Sequence, residues 1–352
     1  MATLSPTMTP APVEKAETWR DRIRITRQGV FATFFIVFGA ILVWNALQFI
    51  APATLTTLTF GSGLPELVVP TQATTLIIGI LWLAGGLFAM FGPASMNRVK
   101  RIWNLVNGVL IIPAVIILAA ADASTNVTVL LQVSMRLATP IVMGALAGIW
   151  CERSGVTNIA IEGMMLTGAC FGFVAFTLLL GTMPNPQAQF VGVIVATLTG
   201  GIMAVLHAWL SITFKTNQIV SGTVINILAV GITSFIRREV LLSSEAGREP
   251  LQQFAIPVLS EIPVLGEVFF NGRPIFYMMF VLLFVTHIVL FYTKWGLRTR
   301  AVGENPKAAD TLGINVIRNR WINVMIGGLI AGLAGAWFSL ETNGSFDDNM
   351  TS

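Results

Sequence analysis

Long apolar segments alternate with short polar connections along most of the chain. A helix that crosses the hydrocarbon core of a bilayer needs about 20 mostly apolar residues. Nine segments approach or exceed that length, and we predict a membrane-spanning helix in each: 30–50, 74–91, 103–121, 128–150, 157–181, 190–212, 219–236, 276–293 and 321–340. Arg136 interrupts the fourth of them.

Composition supports this all-α, polytopic fold. Of 352 residues, 55% are hydrophobic and 11% are charged, whereas about 25% of the residues in an ordinary soluble domain are charged. A water-soluble protein this apolar could not cover its surface with polar groups, but a bilayer removes that requirement. The prediction is one transmembrane domain over 29–352, preceded by a polar and basic tail over 1–28.

The distribution of Lys and Arg predicts the orientation. With the N-terminus in the cytoplasm, the cytoplasmic connections receive 16 of the 21 Lys and Arg residues. The outer side receives four, all in one long loop over 237–275. Because basic residues favour the cytoplasmic side, we expect the N-terminus inside and the C-terminus outside.

Two segments on the predicted cytoplasmic side carry unusual polar patterns. The first follows the fourth helix, where Gly155 permits a turn and Asn158 and Glu162 lie four residues apart on the next helix. A carboxylate one turn inside the apolar region is costly unless it is paired. Glu162 therefore either shapes the mouth of a pathway, or pairs with Arg153 or caps backbone amides.

The second segment is the connection over 294–320, which contains a short helix of its own. Asn305 is suited to the N-cap, Pro306 to the first helical position and Gly313 to the C-terminal stop. Ala308, Ala309 and Leu312 would form a small apolar face. Since a two-turn helix is unstable alone in water, this one needs a surface, either on the chain's own helix ends or on another protein.

Both segments resemble the signatures of a known family. ERSGVTNIAIEGMM and RAVGENPKAADTLGINV are similar to those of ABC-importer permease subunits in the branched-chain amino acid, ribose and nucleoside branch, and most similar to the nucleoside and simple-sugar permeases. The resemblance covers roughly 130–350. It implies that the second segment is the coupling helix that contacts a cytoplasmic ATPase, through Gly303, Glu304, Asn305, Ala308, Ala309, Gly313 and Ile314. The first segment would be the family's other fingerprint, with Glu152, Arg153, Gly155, Asn158, Glu162 and Gly163.

The resemblance also implies partners and a location. The expected partners are an ABC ATPase that binds the ATP, a second permease subunit (identical or not), an extracytoplasmic substrate-binding protein and membrane lipid, with no nucleic acid. The expected location is a bacterial-type plasma (inner) membrane. Such permeases usually have one or two further helices, so we expect that this chain is truncated at its C-terminus.

Other classes of function find less support in the residues. No GxxxxGK[ST] phosphate loop is present, and the cysteines and histidines lack metal-ligand spacing, so we predict no metal, no cofactor in this chain and no enzymatic activity. An ATP-independent secondary transporter or channel remains the alternative, although it should carry carboxylates near the bilayer midplane. Arg136 and Asn226 are the candidate pathway residues, against a purely structural role for each.

Overall fold

A computed structural model describes residues 27–61, 63–241 and 249–351. Most of the predicted N-terminal tail over 1–28 lies outside the described residues, as does Arg248 of the predicted outer loop. The chain divides into two compact units, residues 1–127 and 128–352. The prediction of a single domain over 29–352 stays a prediction.

Within the described residues, nine helical spans are long and apolar enough to cross a membrane. Each overlaps one of the nine predicted segments, so the predicted all-α, polytopic fold is confirmed. The orientation, with the N-terminus inside, stays a prediction, and "inner" and "outer" below refer to it. The nine spans are 28–48, 71–91, 97–119, 127–153, 161–179, 185–213, 218–241, 274–292 and 316–343.

Over its described residues, the first unit contains four helices and a small sheet. The helices are α1 (Arg27–Gln48), α2 (Thr71–Phe91), α3 (Asn97–Val109) and α4 (Ile111–Ala119), and the last two make up one span. The strands β1 (Leu55–Thr59), β2 (Leu67–Pro70) and β3 (Ser124–Asn126) pair in the order β2-β1-β3, antiparallel and then parallel. Its buried apolar cluster is small and consists of Phe35, Leu42, Ile78, Trp82 and Ala114.

The second unit contains the longer helices. They are α5 (Val127–Arg153), α6 (Ile161–Leu179), α7 (Asn185–Ala208), α8 (Gln218–Ile236), α9 (Leu265–Phe269), α10 (Pro274–Tyr292), α11 (Lys294–Glu304), α12 (Pro306–Thr311) and α13 (Val316–Ala336). Three of them end in a π-helical turn: α7 at Trp209–Thr213, α8 at Arg237–Leu241 and α13 at Trp337–Asn343. Strands β4 (Phe254–Ala255) and β5 (Asn271–Gly272) form a short antiparallel pair before α10.

Glycines bring α6, α7 and α13 into close contact at the centre of the second unit. A Cβ atom on Gly168 of α6 would lie 2.8 Å from the carbonyl oxygen of Gly332 on α13 and 3.1 Å from that of Ala196 on α7. Gly172, Gly328 and Gly332 are equally confined, and with Gly168 they form two GxxxG patterns, Gly168 with Gly172 and Gly328 with Gly332. Small residues spaced four apart allow the backbones of neighbouring membrane helices to approach this closely.

Candidate coupling surface and pathway residues

The first signature segment begins where α5 ends, at a turn that requires glycine. Gly155 has φ of +78°, a left-handed conformation that costs other residues about 1–2 kcal/mol. Its N–H donates to the carbonyl of Glu152 (2.9 Å), and the N–H of Val156 donates to that of Cys151 (3.1 Å). This pair of bonds defines a Schellman motif, which ends α5 and turns the chain towards α6.

Two asparagines fix the stretch between this turn and α6. The side-chain oxygen of Asn158, which is buried, accepts from the N–H of Ala160 at 3.0 Å. Asn226 of α8 spans the break, because its Nδ2 donates to the carbonyl of Ile159 (3.0 Å) and its Oδ1 accepts from the N–H of Gly163 (2.9 Å). Asn226 thus makes the interhelical hydrogen bonds expected of a structural role. Its role in lining a pathway stays a prediction.

The second signature segment forms the short helix α12, with the caps that the sequence predicts. Asn305 Oδ1 accepts from the N–H of Ala308 at 3.1 Å, and Pro306 occupies the first helical position. Gly313 has φ of +80°, and its N–H donates to Asp310 (2.9 Å) while that of Ile314 donates to Ala309 (3.1 Å). The helix therefore ends in the same Schellman motif as α5, and the predicted capping is confirmed.

The two signature segments contact each other directly. Gly303, near the end of α11, packs so closely against Arg153 that a Cβ atom would collide with the Arg153 carbonyl oxygen. A Cβ atom on Gly155 would lie 3.4 Å from the Cα of Gly303. Arg320 of α13 completes the junction, since its Nε donates to the carbonyl of Ser154 at 3.1 Å. The sequence placed both segments on one side of the membrane, but it did not reveal that one supports the other.

The predicted apolar face of α12 is divided between two environments. Ala309 is only 2% exposed and faces the chain's own helices, whereas Leu312 is 80% exposed and Ala308 is also exposed. Expecting all three side chains to form one apolar face was therefore wrong, because this chain covers Ala309 and leaves Ala308 and Leu312 exposed. One side of α12 rests on this protein, and the other side is available to a partner.

Several charged residues of the signatures surround this junction on the exposed surface. Glu152, Arg153, Glu162 and Glu304 are all exposed. Within the described residues Glu162 makes neither an ion pair with Arg153 nor a capping bond to a backbone amide. Neither of the structural roles considered for Glu162 is therefore observed, although it lies in the first turn of α6, where the helix dipole favours a negative charge.

At the outer end of the second unit, Arg136 lies beside a residue that the sequence analysis missed. Arg136 Nη2 donates to the carbonyl of Asn271 at 3.2 Å. The missed residue is Glu341, which is only 2% exposed and accepts backbone hydrogen bonds from the start of α10. A lone carboxylate directly after the Gly- and Ala-rich ninth segment was the available signal. In the part of the chain that the structure describes, no group of three or more His, Cys, Asp or Glu could hold a metal ion.

Comparisons with known proteins agree with these signatures. Residues 130–351 match the family model described as the permease component of a branched-chain amino acid transport system. The guanosine ABC transporter permease protein NupQ of Bacillus subtilis is 39% identical over 223 residues, which cover 62% of this chain and 69% of that protein. The nucleoside ABC transporter permease protein NupC of Lactococcus lactis is 35% identical over 210 residues, 59% of this chain and 66% of the relative. A putative glucose ABC transporter permease of Haloferax volcanii is 34% identical over 226 residues, with 63% and 66% covered.

The helical spans and the joined signature segments define a multi-pass membrane protein of the transport-permease class. The chain belongs to the family of branched-chain amino acid transport system permease components. Its matched part coincides with the second unit, and the aligned segments span about two thirds of the relatives' length. No solved structure matches the chain.

Proposed function

We propose that the chain is the membrane-spanning permease subunit of an ATP-driven importer in a bacterial-type inner membrane. It translocates a small polar solute, a nucleoside or a simple sugar, that an extracytoplasmic binding protein delivers. Support comes from the relatives, whose names describe ABC transporter permeases for guanosine and for nucleosides. The chain itself is not an enzyme: a separate subunit hydrolyses ATP, and a second permease subunit completes the pathway.

The observation that carries the proposal is the exposed side of α12. Leu312 is 80% exposed at the end of a six-residue helix that is capped at both ends. A helix this short is unstable alone in water, and its exposed side, with Ala308 and Leu312, is available to a second surface on a partner protein. The contact of Gly303 with Arg153 and Gly155 connects α12, through α11, to the fingerprint segment between α5 and α6. Force applied to α12 by an ATPase would therefore reach two membrane-spanning helices.

The test is capture of the ABC ATPase subunit of the same importer, co-expressed with the tagged permease. Leu312→Ser and Ala308→Arg each change the exposed side of α12 and leave Asn305 and Gly313, which begin and end the helix, in place. We expect each to reduce ATPase recovery at least tenfold, because central apolar contacts dominate the energy of an interface. Ala309 is the wrong target for this experiment, since its side chain packs inside this chain.

Leu265→Ser is the matched control, because Leu265 is 54% exposed on α9, in the predicted outer loop. It removes a similar apolar side chain far from α12 and should leave ATPase recovery unchanged. If Leu312→Ser and Ala308→Arg recover as much ATPase as the control, the assignment of α12 as the coupling helix is wrong.

A further inference from the structure

A cavity of about 280 Å³ lies at the outer end of the second unit. It is formed by α5, the residue that precedes α10 and the π-helical end of α13, and its lining is Val133, Arg136, Leu137, Arg273, Trp337, Glu341 and Thr342. Arg136 lies 17 residues before Arg153 on α5, so the cavity is about 25 Å from the inner junction at 1.5 Å per residue. It is a separate site from the surface of α12.

Glu341 joins two walls of the cavity, α13 and α10, through its carboxylate. One carboxylate oxygen accepts the N–H of Ile275 at 2.6 Å, and the other accepts that of Phe276 at 3.2 Å. These N–H groups belong to the first turn of α10, where backbone donors have no partner inside the helix. The π-helical end of α13 places the carboxylate there, and the backbone carbonyl of Glu341 also accepts from Arg273 Nη1.

The two arginines retain unused donors. A guanidinium group carries five N–H donors, whereas Arg136 makes one hydrogen bond, to Asn271. Arg273 donates from Nη1, but its Nε is buried without a partner. Burial and the neighbouring charge of Arg136 lower the pKa of Arg273, while Glu341 acts in the opposite direction. The cavity thus contains two arginines and one carboxylate, and it has an excess of positive charge and of hydrogen-bond donors.

The two arginines indicate which environment the mouth of the cavity faces. Val133 and Leu137 are 45% and 55% exposed at its edge. Charged side chains inside a membrane span face water or a protein interior rather than lipid tails, because their exposure to hydrocarbon costs several kcal/mol. The mouth should therefore open onto a water-filled space.

We propose that this cavity is an outer solute-binding site on the transport pathway, where Arg136 and Arg273 donate hydrogen bonds to the hydroxyl and carbonyl oxygens of a nucleoside or sugar. The inference rests on the proposed function. Trp337 supplies an aromatic wall, and few precisely placed polar groups beside apolar ones are typical of small-molecule sites. A surplus of donors favours solutes rich in acceptor oxygens and disfavours cationic ones.

Protection from thiol labelling tests the site directly. The native cysteines, Cys151 and Cys170, are fully buried, so a cysteine introduced as Thr342→Cys should be the reactive thiol at the cavity. Membranes opened by freezing and thawing are treated with a maleimide in the presence of guanosine, glucose or choline. We expect guanosine or glucose to slow the labelling of Thr342→Cys several-fold, and choline to have no effect.

Two comparisons make the result specific. Gln187→Cys is exposed at the predicted outer end of α7 and does not line the cavity, so its labelling should not respond to any solute. Adding Arg136→Gln to Thr342→Cys should raise the guanosine concentration needed for half protection about tenfold, because a hydrogen bond to a charged group is lost. Arg238→Gln, on an exposed residue of the same outer end, should not change that concentration.

The proposal is overturned if guanosine and glucose fail to slow the labelling of Thr342→Cys, if they slow Gln187→Cys equally, or if protection survives Arg136→Gln unchanged. Its failure is distinguishable from failure of the proposed function, since capture of the ATPase by α12 is measured without any solute. If Leu312→Ser still reduces ATPase capture but no solute protects Thr342→Cys from labelling, the permease assignment stands and this binding site is wrong.

Discussion

The third and ninth spans of this protein differ in a way that reverses the rule for soluble proteins. The span over 97–119, in the first unit, is the more apolar of the two, yet only 17% of its most apolar window is buried. The span over 316–343, in the second unit, is less apolar, and 67% of its window is buried. The span over 161–179 resembles the ninth, with 61% buried. Of these three spans, the most apolar one therefore has the least of this chain's own protein around it.

The difference follows from the solvent. In a bilayer, lipid tails are as apolar as leucine, so moving a leucine from lipid into protein gains little. Close van der Waals packing and interhelical hydrogen bonds hold the helices together instead. The ninth span accordingly carries Gly328 and Gly332 where backbones meet, and Asn319 and Asn323 in a buried hydrogen-bonded cluster with Thr299.

Filling a glycine contact should have the largest effect. Gly168→Ala places a Cβ atom 2.8 Å from the carbonyl oxygen and 2.9 Å from the Cα of Gly332. Neither backbone atom can move aside cheaply, so we expect a loss of about 3 kcal/mol in the free energy of unfolding, the upper end for overpacking. Unfolding of the purified protein in mixed micelles, with SDS as the denaturant, measures it.

Gly231→Ala is the matched control, because no atom lies within 4 Å of the Cβ it would add on α8. In that open position alanine's higher helix propensity should stabilise the protein by up to about 1 kcal/mol. Equal effects of the two substitutions would mean that the contact between α6 and α13 does not hold the second unit together.

A hydrogen-bonded and an unpaired asparagine give the next comparison. Asn226→Leu removes both bonds that hold the break between α5 and α6, leaving the Ile159 carbonyl and the Gly163 N–H without partners. We expect a loss of about 2 kcal/mol, within the range for unsatisfied polar groups. Hydrogen exchange of the backbone amides around Gly163 should also accelerate.

The contrasting variant is Asn107→Leu in the first unit. Asn107 is fully buried, and neither of its side-chain polar atoms has a hydrogen-bond partner. Replacing it by an apolar side chain of similar size should be neutral or stabilising, since no hydrogen bond is lost. A loss as large as that of Asn226→Leu would contradict the assignment of Asn107 as an unpaired side chain.

The sequence predicted the helices well because bilayer thickness imposes their length, and it predicted α12 because Asn305, Pro306 and Gly313 act locally. It could not predict that Ala309 faces inwards while Leu312 faces outwards, since that depends on how α12 rests on its neighbours. It also missed Glu341, whose role depends on contact with the start of α10, 66 residues earlier in the chain. Local chemistry was readable, whereas pairings between distant segments were not.

The smallest effect is expected on the exposed side of the third span. Ile112 is 57% exposed on α4. In Ile112→Ala, lipid can fill the space that the side chain leaves. We therefore expect the free energy of unfolding to change by less than about 0.5 kcal/mol, as for surface sites. Ile330→Ala on α13 is the matched variant. Ile330 is only 5% exposed, and lipid cannot fill the cavity, so the cost should be about 2 kcal/mol. Both are measured by the same SDS titration. A cost for Ile112→Ala as large as that for Ile330→Ala would contradict the assignment of this face to lipid, and would indicate that another protein surface covers it.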